Sequence, residues 1–185
     1  MTAQQNDIVD DIMTDHREVE DVFKEIEGSD NPNTRRQLVE HVITELVRHS
    51  VAEEQYLYPV ARRVLPDGDK IADHELHEHA EAEEVMSKIE KTDTEDAEFD
   101  RLVGELIKDI RHHIEDEEGD LLPKLRDACE ATELGKLAEQ FQRAKKLAPT
   151  RPHPSAPDTP PANKILDPGV GLIDRMRDAL SGRNT

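Results

Sequence analysis

At 185 residues the chain has room for one domain with a full core plus an extension. A net charge of −19 argues against nucleic acid or an anionic membrane as partner, and a lone cysteine, Cys129, excludes an intramolecular disulfide framework and suits a reducing compartment. With 3% aromatic residues and no Trp the core has to be aliphatic, and 36% charged residues suit long solvated helices better than a sheet.

The amino terminus carries Asp7, Asp10 and Asp11 and no apolar run, so it reads as neither a signal nor a transit peptide. No stretch reaches transmembrane length, and the expectation is a soluble, cytoplasmic protein. A first helix spans about Asp7 to Glu27, with Ile8, Ile12, Val19, Phe23 and Ile26 at helical spacing and His16 in phase with them. Gly28-Ser29-Asp30-Asn31-Pro32 ends it and caps the next. The second helix begins near Asn33 and runs Leu38, Val42, Leu46, then His49 and Glu53, then Leu57, Val60 and Val64. Pro59 should kink it, and Pro66-Asp67-Gly68 is a turn.

A third helix, about Lys70 to Lys91, presents Ala72, Leu76, His79, Ala82, Met86 and Ile89. Thr92-Asp93-Thr94-Glu95 reads as the capping box of a fourth. The stripe of that helix is Leu102, Leu106, Ile110, His113, Glu117, Leu121 and Leu125, with a second kink at Pro123. A weaker helical segment follows, about Glu133 to Leu147, with Leu134, Leu137, Phe141 and Ala144 on one face. Residues 149 to 164 contain Pro149, Pro152, Pro154, Pro157, Pro160 and Pro161 and read as an extended linker. The last segment, about Gly169 to Leu180, sets Leu172, Ile173, Met176 and Leu180 on one face and is too short to be stable alone. Residues 169–180 therefore either dock on the bundle, or take a partner or another copy of the chain. The fold class expected is all-α: an up-down four-helix bundle with its helical appendage over 1–147, then a Pro-rich linker and short amphipathic end over 148–185.

Two pairs of positions in the stripes are polar where apolar residues belong. His49 and Glu53, and again His113 and Glu117, stand four residues apart, which stacks them on one helix face. A carboxylate on a core face is costly unless something positive compensates it, and no Lys or Arg stands at matching phase, so a metal ion is the economical answer. The pattern is doubled. Asp15 to Phe23 aligns with Glu78 to Met86, and Glu53-Glu54, Leu57 and Pro59 align with Glu117-Glu118, Leu121 and Pro123. Each copy contributes a histidine from its first helix (His16, His79) and a His/Glu pair from its second, and together these six residues make a two-metal inventory.

The neighbours sort by helical angle. His74, His77 and His112 lie about 140°, 160° and 100° off the stripes and are expected on the surface. His41 is a boundary position, and His153 is only a polar residue of the linker. Glu75, about 40° from His79, could be a fifth ligand, an acceptor behind a ligand, or a solvated acid. Tyr56, one turn beyond Glu53, could hydrogen-bond a ligand; its repeat partner is Asp120. Glu54 and Glu118, about 100° off the stripe, belong on the surface or behind the ligands. Asp15 and Glu78 are candidates to hold the outer nitrogens of the ligating rings.

At these residues the chain resembles the hemerythrin-like HHE cation-binding family, over roughly residues 7 to 128. It departs from the invertebrate oxygen carriers, which have a fifth histidine and whose last bridging carboxylate is an Asp one residue further along. Here Glu75 lies one turn before His79. Ferritin-like bundles use Glu-x-x-His pairs and fit less well. Imidazole with carboxylate suits iron, manganese or zinc; the resemblance implies two iron ions with an oxo or hydroxo bridge. Each would take two histidines, with Glu53 and Glu117 bridging across about 3.5–4 Å, and open positions would accept peroxide, nitric oxide or dioxygen. Three functions stay open: binding or sensing such oxidants, with peroxide or nitric oxide favoured over stored dioxygen; catalase-like disproportionation of peroxide at the same pair; or an iron buffer without turnover.

Overall fold

The structure is a computed structural model that describes residues 6–181 and 183, without the side chains of residues 165, 166, 180 and 181, so Leu180 of the expected apolar face lies outside the described side chains. Helix α1 (Ile8–Glu27) opens on a reciprocal cap in which Asp7 accepts from the Asp10 N–H and Asp10 from the Asp7 N–H. Asn31 caps α2 (Pro32–Ala52), and Pro32 sits in the first turn, where no intrahelical N–H is needed. Then come α3 (Tyr58–Val64), α4 (Gly68–Lys91), α5 (Ala97–Asp116), α6 (Leu122–Ala128), α7 (Ala131–Leu147) and α8 (Ala162–Ser181). There is no strand among the described residues, and no helix there is long and apolar enough to cross a membrane.

The bends at Pro59 and Pro123 take a specific form. Each proline lacks the N–H that an α turn would use, and the chain widens to i→i+5 bonding just before it. Residues Glu53–Leu57 join α2 to α3 as one π-helical turn, with the Tyr58 N–H on the Glu53 carbonyl. Residues Glu117–Leu121 join α5 to α6 identically, with the Leu122 N–H on the Glu117 carbonyl. Such π turns inside a helix mark functional positions, and both begin at a stripe carboxylate. The capping box expected at Thr92 does not form. The Thr92 hydroxyl donates to the Lys88 carbonyl and closes α4, while α5 starts later at Asp96, whose carboxylate accepts from the Glu98 N–H.

Around the bundle, α1 lies against α2 and α5, and α4 against α2, α3 and α5. Gly68 permits the sharp α3–α4 junction, because a Cβ there would stand 2.0 Å from the Ala61 carbonyl oxygen. The apolar core is divided. One cluster gathers Val19, Phe23, Ile43, Leu46, Met86, Ile89, Phe99 and Leu106; the other gathers Ile8, Ile12, Leu57, Tyr58, Ala72, Leu121 and Leu125. Between them runs a buried polar belt of His16, His49, Glu53, Glu75, His79, His113 and Glu117. Helix α7 packs across α1, α2 and the first π turn, and burying its fully covered Phe141 is worth roughly 1.5–3 kcal/mol.

The stretch after α7 is held to the bundle at its start, while residues 154–159 are exposed. Ala148 and Thr150 are buried, the Thr150 carbonyl accepts from Thr44, and the His153 N–H donates to Glu83. Helix α8 is longer than the sequence suggests and carries Pro168 within it, where one backbone bond is forgone. It does not dock through its apolar face, the first of the two expectations. Asn163, Asp167, Asp174 and Asp178 are buried, whereas Leu172, Ile173 and Met176 are 58%, 59% and 60% exposed. The physical reason is polar pairing. Asp174 accepts from the Thr150 and Arg151 amides and stands 2.8 Å from His153, Asp178 pairs with Arg151, and Gln55 donates to Asp167.

Candidate metal centre

The structure brings His16 (α1), His49 (α2), His79 (α4) and His113 (α5) together with Glu53 and Glu117, the first residues of the two π turns, all 6% exposed or less. The histidines form two pairs of tilted rings, with centroids 5.1 Å apart for His16 and His49 and 4.9 Å for His79 and His113. Each carboxylate reaches one ring of each pair. Glu53 stands 3.0 Å from His49 Nε2 and 3.5 Å from His79 Nε2, using a different oxygen for each. Glu117 Oε2 stands 3.5 Å from His16 Nε2 and 3.7 Å from His113 Nε2.

The four Nδ1 atoms point the other way, and each rests on a carboxylate. His16 takes Glu118 at 2.9 Å, His49 takes Asp15 at 3.0 Å, His79 takes Glu54 at 3.2 Å and His113 takes Glu78 at 3.0 Å. An acid on Nδ1 fixes the tautomer that leaves Nε2 free as a donor atom, the usual support of a metal-bound imidazole. Asp15 and Glu78 thus hold rings of their own helix pairs, while Glu54 and Glu118 each hold a ring of the other repeat.

Whether a cation fits can be read from the atoms without partners. His16 Nε2, His49 Nε2, both oxygens of Glu53, Glu75 Oε2 and Glu117 Oε2 are buried with no hydrogen bond. Buried polar atoms are ordinarily hydrogen-bonded, and each one left without such a bond is costly. They converge as candidate donor sets: His16, His49, Glu53 and Glu117; Glu53, His79 and His113; Glu75, His113 and Glu117. Donors about 2.1 Å from one ion stand roughly 3.0–3.4 Å apart, and the nitrogen–oxygen separations of 3.0–3.7 Å are near that range. The residues present fit a cation.

Charge in the belt is divided unevenly. Burial would depress His49, but the Glu53 charge and the Asp15 hydrogen bond carry it up to about 10. His113 is likewise raised, burial being outweighed by Glu117, Glu75 and Glu78. His79 is pushed well below the ordinary value by burial and by the His113 charge. Burial and the neighbouring Glu117 raise Glu53, whereas in Glu117 burial is outweighed by His113, His16 and His49, which lower it.

Two residues differ from what the spacing suggests. Tyr56 is half-buried at the edge, with Lys164 Nζ 4.0 Å over its ring, and its hydroxyl makes no hydrogen bond at the centre among the described residues. Tyr58 occupies that role instead. Its hydroxyl donates to Glu117 Oε1 at 3.1 Å and stands 3.1 Å from His79 Nε2. The π turn is the cause, since i→i+5 closure brings the fifth residue after Glu53 back over it. Burial and the surrounding glutamates hold the Tyr58 hydroxyl protonated far above its usual range. The repeat equivalent of Tyr58 is Leu122, so the two halves are not equivalent. Glu75 is 3% exposed and lies 3.0 Å from His113 Nδ1, raised mainly by burial. His41, His74, His77 and His112 are exposed, and His153 holds Asp174.

The sequence profile described as hemerythrin HHE cation binding domain matches residues 7–125. An uncharacterized hemerythrin-like protein of Schizosaccharomyces pombe is 31% identical over 174 residues, which is 94% of this chain and 86% of that protein. A protein of Nostoc sp. named DNA nickase is 28% identical over 143 residues, 77% of this chain but 40% of that protein. No solved structure matches the chain.

Proposed function

The chain belongs to the hemerythrin HHE cation-binding domain family, and from that membership we propose that its centre holds two iron ions and binds small oxidants, peroxide or nitric oxide before dioxygen. His16 and His49 would hold one ion, His79 and His113 the other, and Glu53 and Glu117 would reach both. Glu75 would add an anionic donor beside His113. The observation that carries the reading is the convergence of six buried donor atoms that have no hydrogen-bond partner in the protein. Imidazole with carboxylate suits iron, and an iron pair supplies reversible electron transfer to a small oxidant when bound.

The chain's own residues set the conditions. The Nδ1 carboxylates keep each Nε2 oriented, the two apolar clusters exclude bulk water, and the Tyr58 hydroxyl holds a proton against Glu117 and His79. That proton favours one second reading, disproportionation of peroxide, which has to move protons as well as electrons. Nicking DNA, the activity named for the Nostoc relative, is not carried over. A net charge of −19 opposes a phosphate backbone, and the match spans 40% of that protein. The test is elemental analysis of iron-replete protein, followed by peroxide addition with an oxygen electrode. Two irons per chain are expected; one or none overturns the reading, and rapid oxygen release lost in Glu53→Ala selects the enzyme.

A further inference from the structure

The same helices carry a second His-x-x-x-acid pair on their outer side. On α4 it is His74 and Glu78, and on α5 it is His112 and Asp116. The two pairs face one another across the α4–α5 groove. His74 Nε2 lies 3.6 Å from Glu78 Oε1 and 3.8 Å from Asp116 Oδ2, and His112 Nε2 lies 3.7 Å from the same Asp116 oxygen. None of these contacts is a hydrogen bond; His74, Glu78 and Asp116 each offer a donor atom within 4.8 Å of the others, and His112 joins this set through Asp116 alone. Separations of 3.6–3.8 Å are slightly wider than the roughly 3.4 Å edge of a tetrahedron of donors about 2.1 Å from one ion. Half-exposed side chains close that gap by small rotations.

Two features distinguish this cluster from ordinary surface pairing. First, two of its members, Glu78 and His112, line a cavity of about 160 Å³ that His79 and His113 of the centre also border. Glu78 joins outside to inside, with one oxygen toward His74 and the other on His113 Nδ1. Second, the internal repeat supplies a control. The equivalent positions in the first helix pair are Asp11, Asp15, Arg48 and Ala52, with no histidine. That groove is covered by α7, whose Gln142 donates to Asp11 and whose Lys145 pairs with Asp15. At the four equivalent positions α7 takes up both acids, and the smaller cavity of about 80 Å³ that remains in that groove is bordered by Lys145.

We infer that His74, Glu78, His112 and Asp116 form a separate surface site for one divalent transition-metal cation, and that this site passes the ion inward through the α4–α5 cavity. The first half stands by itself; the second rests on the proposed inner centre.

The probe is cobalt(II), titrated into the metal-free full chain by calorimetry and visible absorption. Wild type is expected to take three ions per chain, the third weaker than the first two. His74→Ala/His112→Ala, at two exposed positions, should take two. Losing even the residues behind a ligand costs about 10–100-fold in affinity, so losing two ligands should weaken the third ion by at least about a hundredfold. Equal stoichiometry and affinity in the two proteins would overturn the site. One ion in wild type and none in the double variant would support the outer site while defeating the inner one. Ferrous uptake at low micromolar iron, followed by stopped flow, should slow about tenfold in the double variant with the same final content. An unchanged rate would overturn the passing of the ion inward.

Discussion

Tyr58→Phe removes one oxygen atom from the centre and leaves the ring, which is 1% exposed, packed where it was. No cavity opens, so the cost reduces to what the hydroxyl does. It donates to Glu117 Oε1 at 3.1 Å, a carboxylate oxygen buried in the belt. A hydrogen bond to a charged group contributes about 1.5–3 kcal/mol, and its loss leaves the acceptor unpaired. For a chain of this length each kcal/mol moves the midpoint by about 2–4 °C, so metal-free Tyr58→Phe should melt about 3–12 °C below wild type by calorimetry. Competition against a chelator should show metal affinity about 10–100-fold weaker, since Tyr58 orients a carboxylate of the donor set. Tyr56→Phe is the internal control, expected within about 0.5 kcal/mol of wild type. The reverse ranking of the two variants, or a Tyr58→Phe protein indistinguishable from wild type, would refute the register that the π turn imposes.

Four further outcomes follow from the geometry. His113→Ala or Glu117→Ala should lower metal content at both positions by elemental analysis, because each carboxylate reaches a ring of either pair. Gly68→Ala should destabilise by roughly 1–3 kcal/mol or more in urea unfolding, since its Cβ would meet Ala61 and Arg62 backbone atoms at 2.0–2.8 Å. Gly171→Ala, with a Cβ 2.5 Å from the Leu147 carbonyl oxygen, should lift α8 away and expose residues 149–161 to limited proteolysis while metal content stays unchanged. Docking of the C-terminal stretch should also depend on pH. His153 is raised from 6.5 by its Asp174 hydrogen bond, so its contribution is full below 6.5 and lost as pH rises through the raised value. In Asp174 burial is outweighed by His153 and two backbone amides, so its contribution is full above 3.8 and lost as pH falls through the lowered value. Protease resistance of 149–161 should therefore peak between about pH 4 and 6.5.

Much of the molecule is legible in the chain because helices obey one period. The stripe Leu38, Val42, Leu46 followed by His49 and Glu53 locates the belt without coordinates, and the doubling of that pattern gives the four-helix plan. Asp15 and Glu78 could be named as ring supports because they adjoin His16 and His79 in the chain, although the rings they hold are those of the next helix, His49 and His113. What escapes is whatever departs from the α period. Tyr58 is about 140° from Glu53 on an α-helix, and only the π turn returns it to the centre. Glu54 and Glu118 are ambiguous for the same reason, since they stand inside the widened turns. Proline at 59 and 123 announces a disturbance but not its kind. The tail is legible only in part: an apolar face on α8 leaves open docking on the bundle or a partner, and the docking seen runs through buried Asp174 and Asp178, whose amide and guanidinium partners lie twenty and more residues away in the sequence.

The supports of the histidine rings are crossed between the repeats. His16 leans on Glu118 of the second half, and His79 leans on Glu54 of the first. Neither half can orient its own first histidine, so a chain that has folded only one helix pair holds no finished donor set. During synthesis, cation capture has to wait until α5 and its π turn have emerged and closed on α1. In the finished protein, opening either half slackens rings in both, and fraying of one helix is not a cheap exit for an ion. Release of one ligand is then not enough to free a bound cation, because the acids that orient the remaining rings belong to the opposite half.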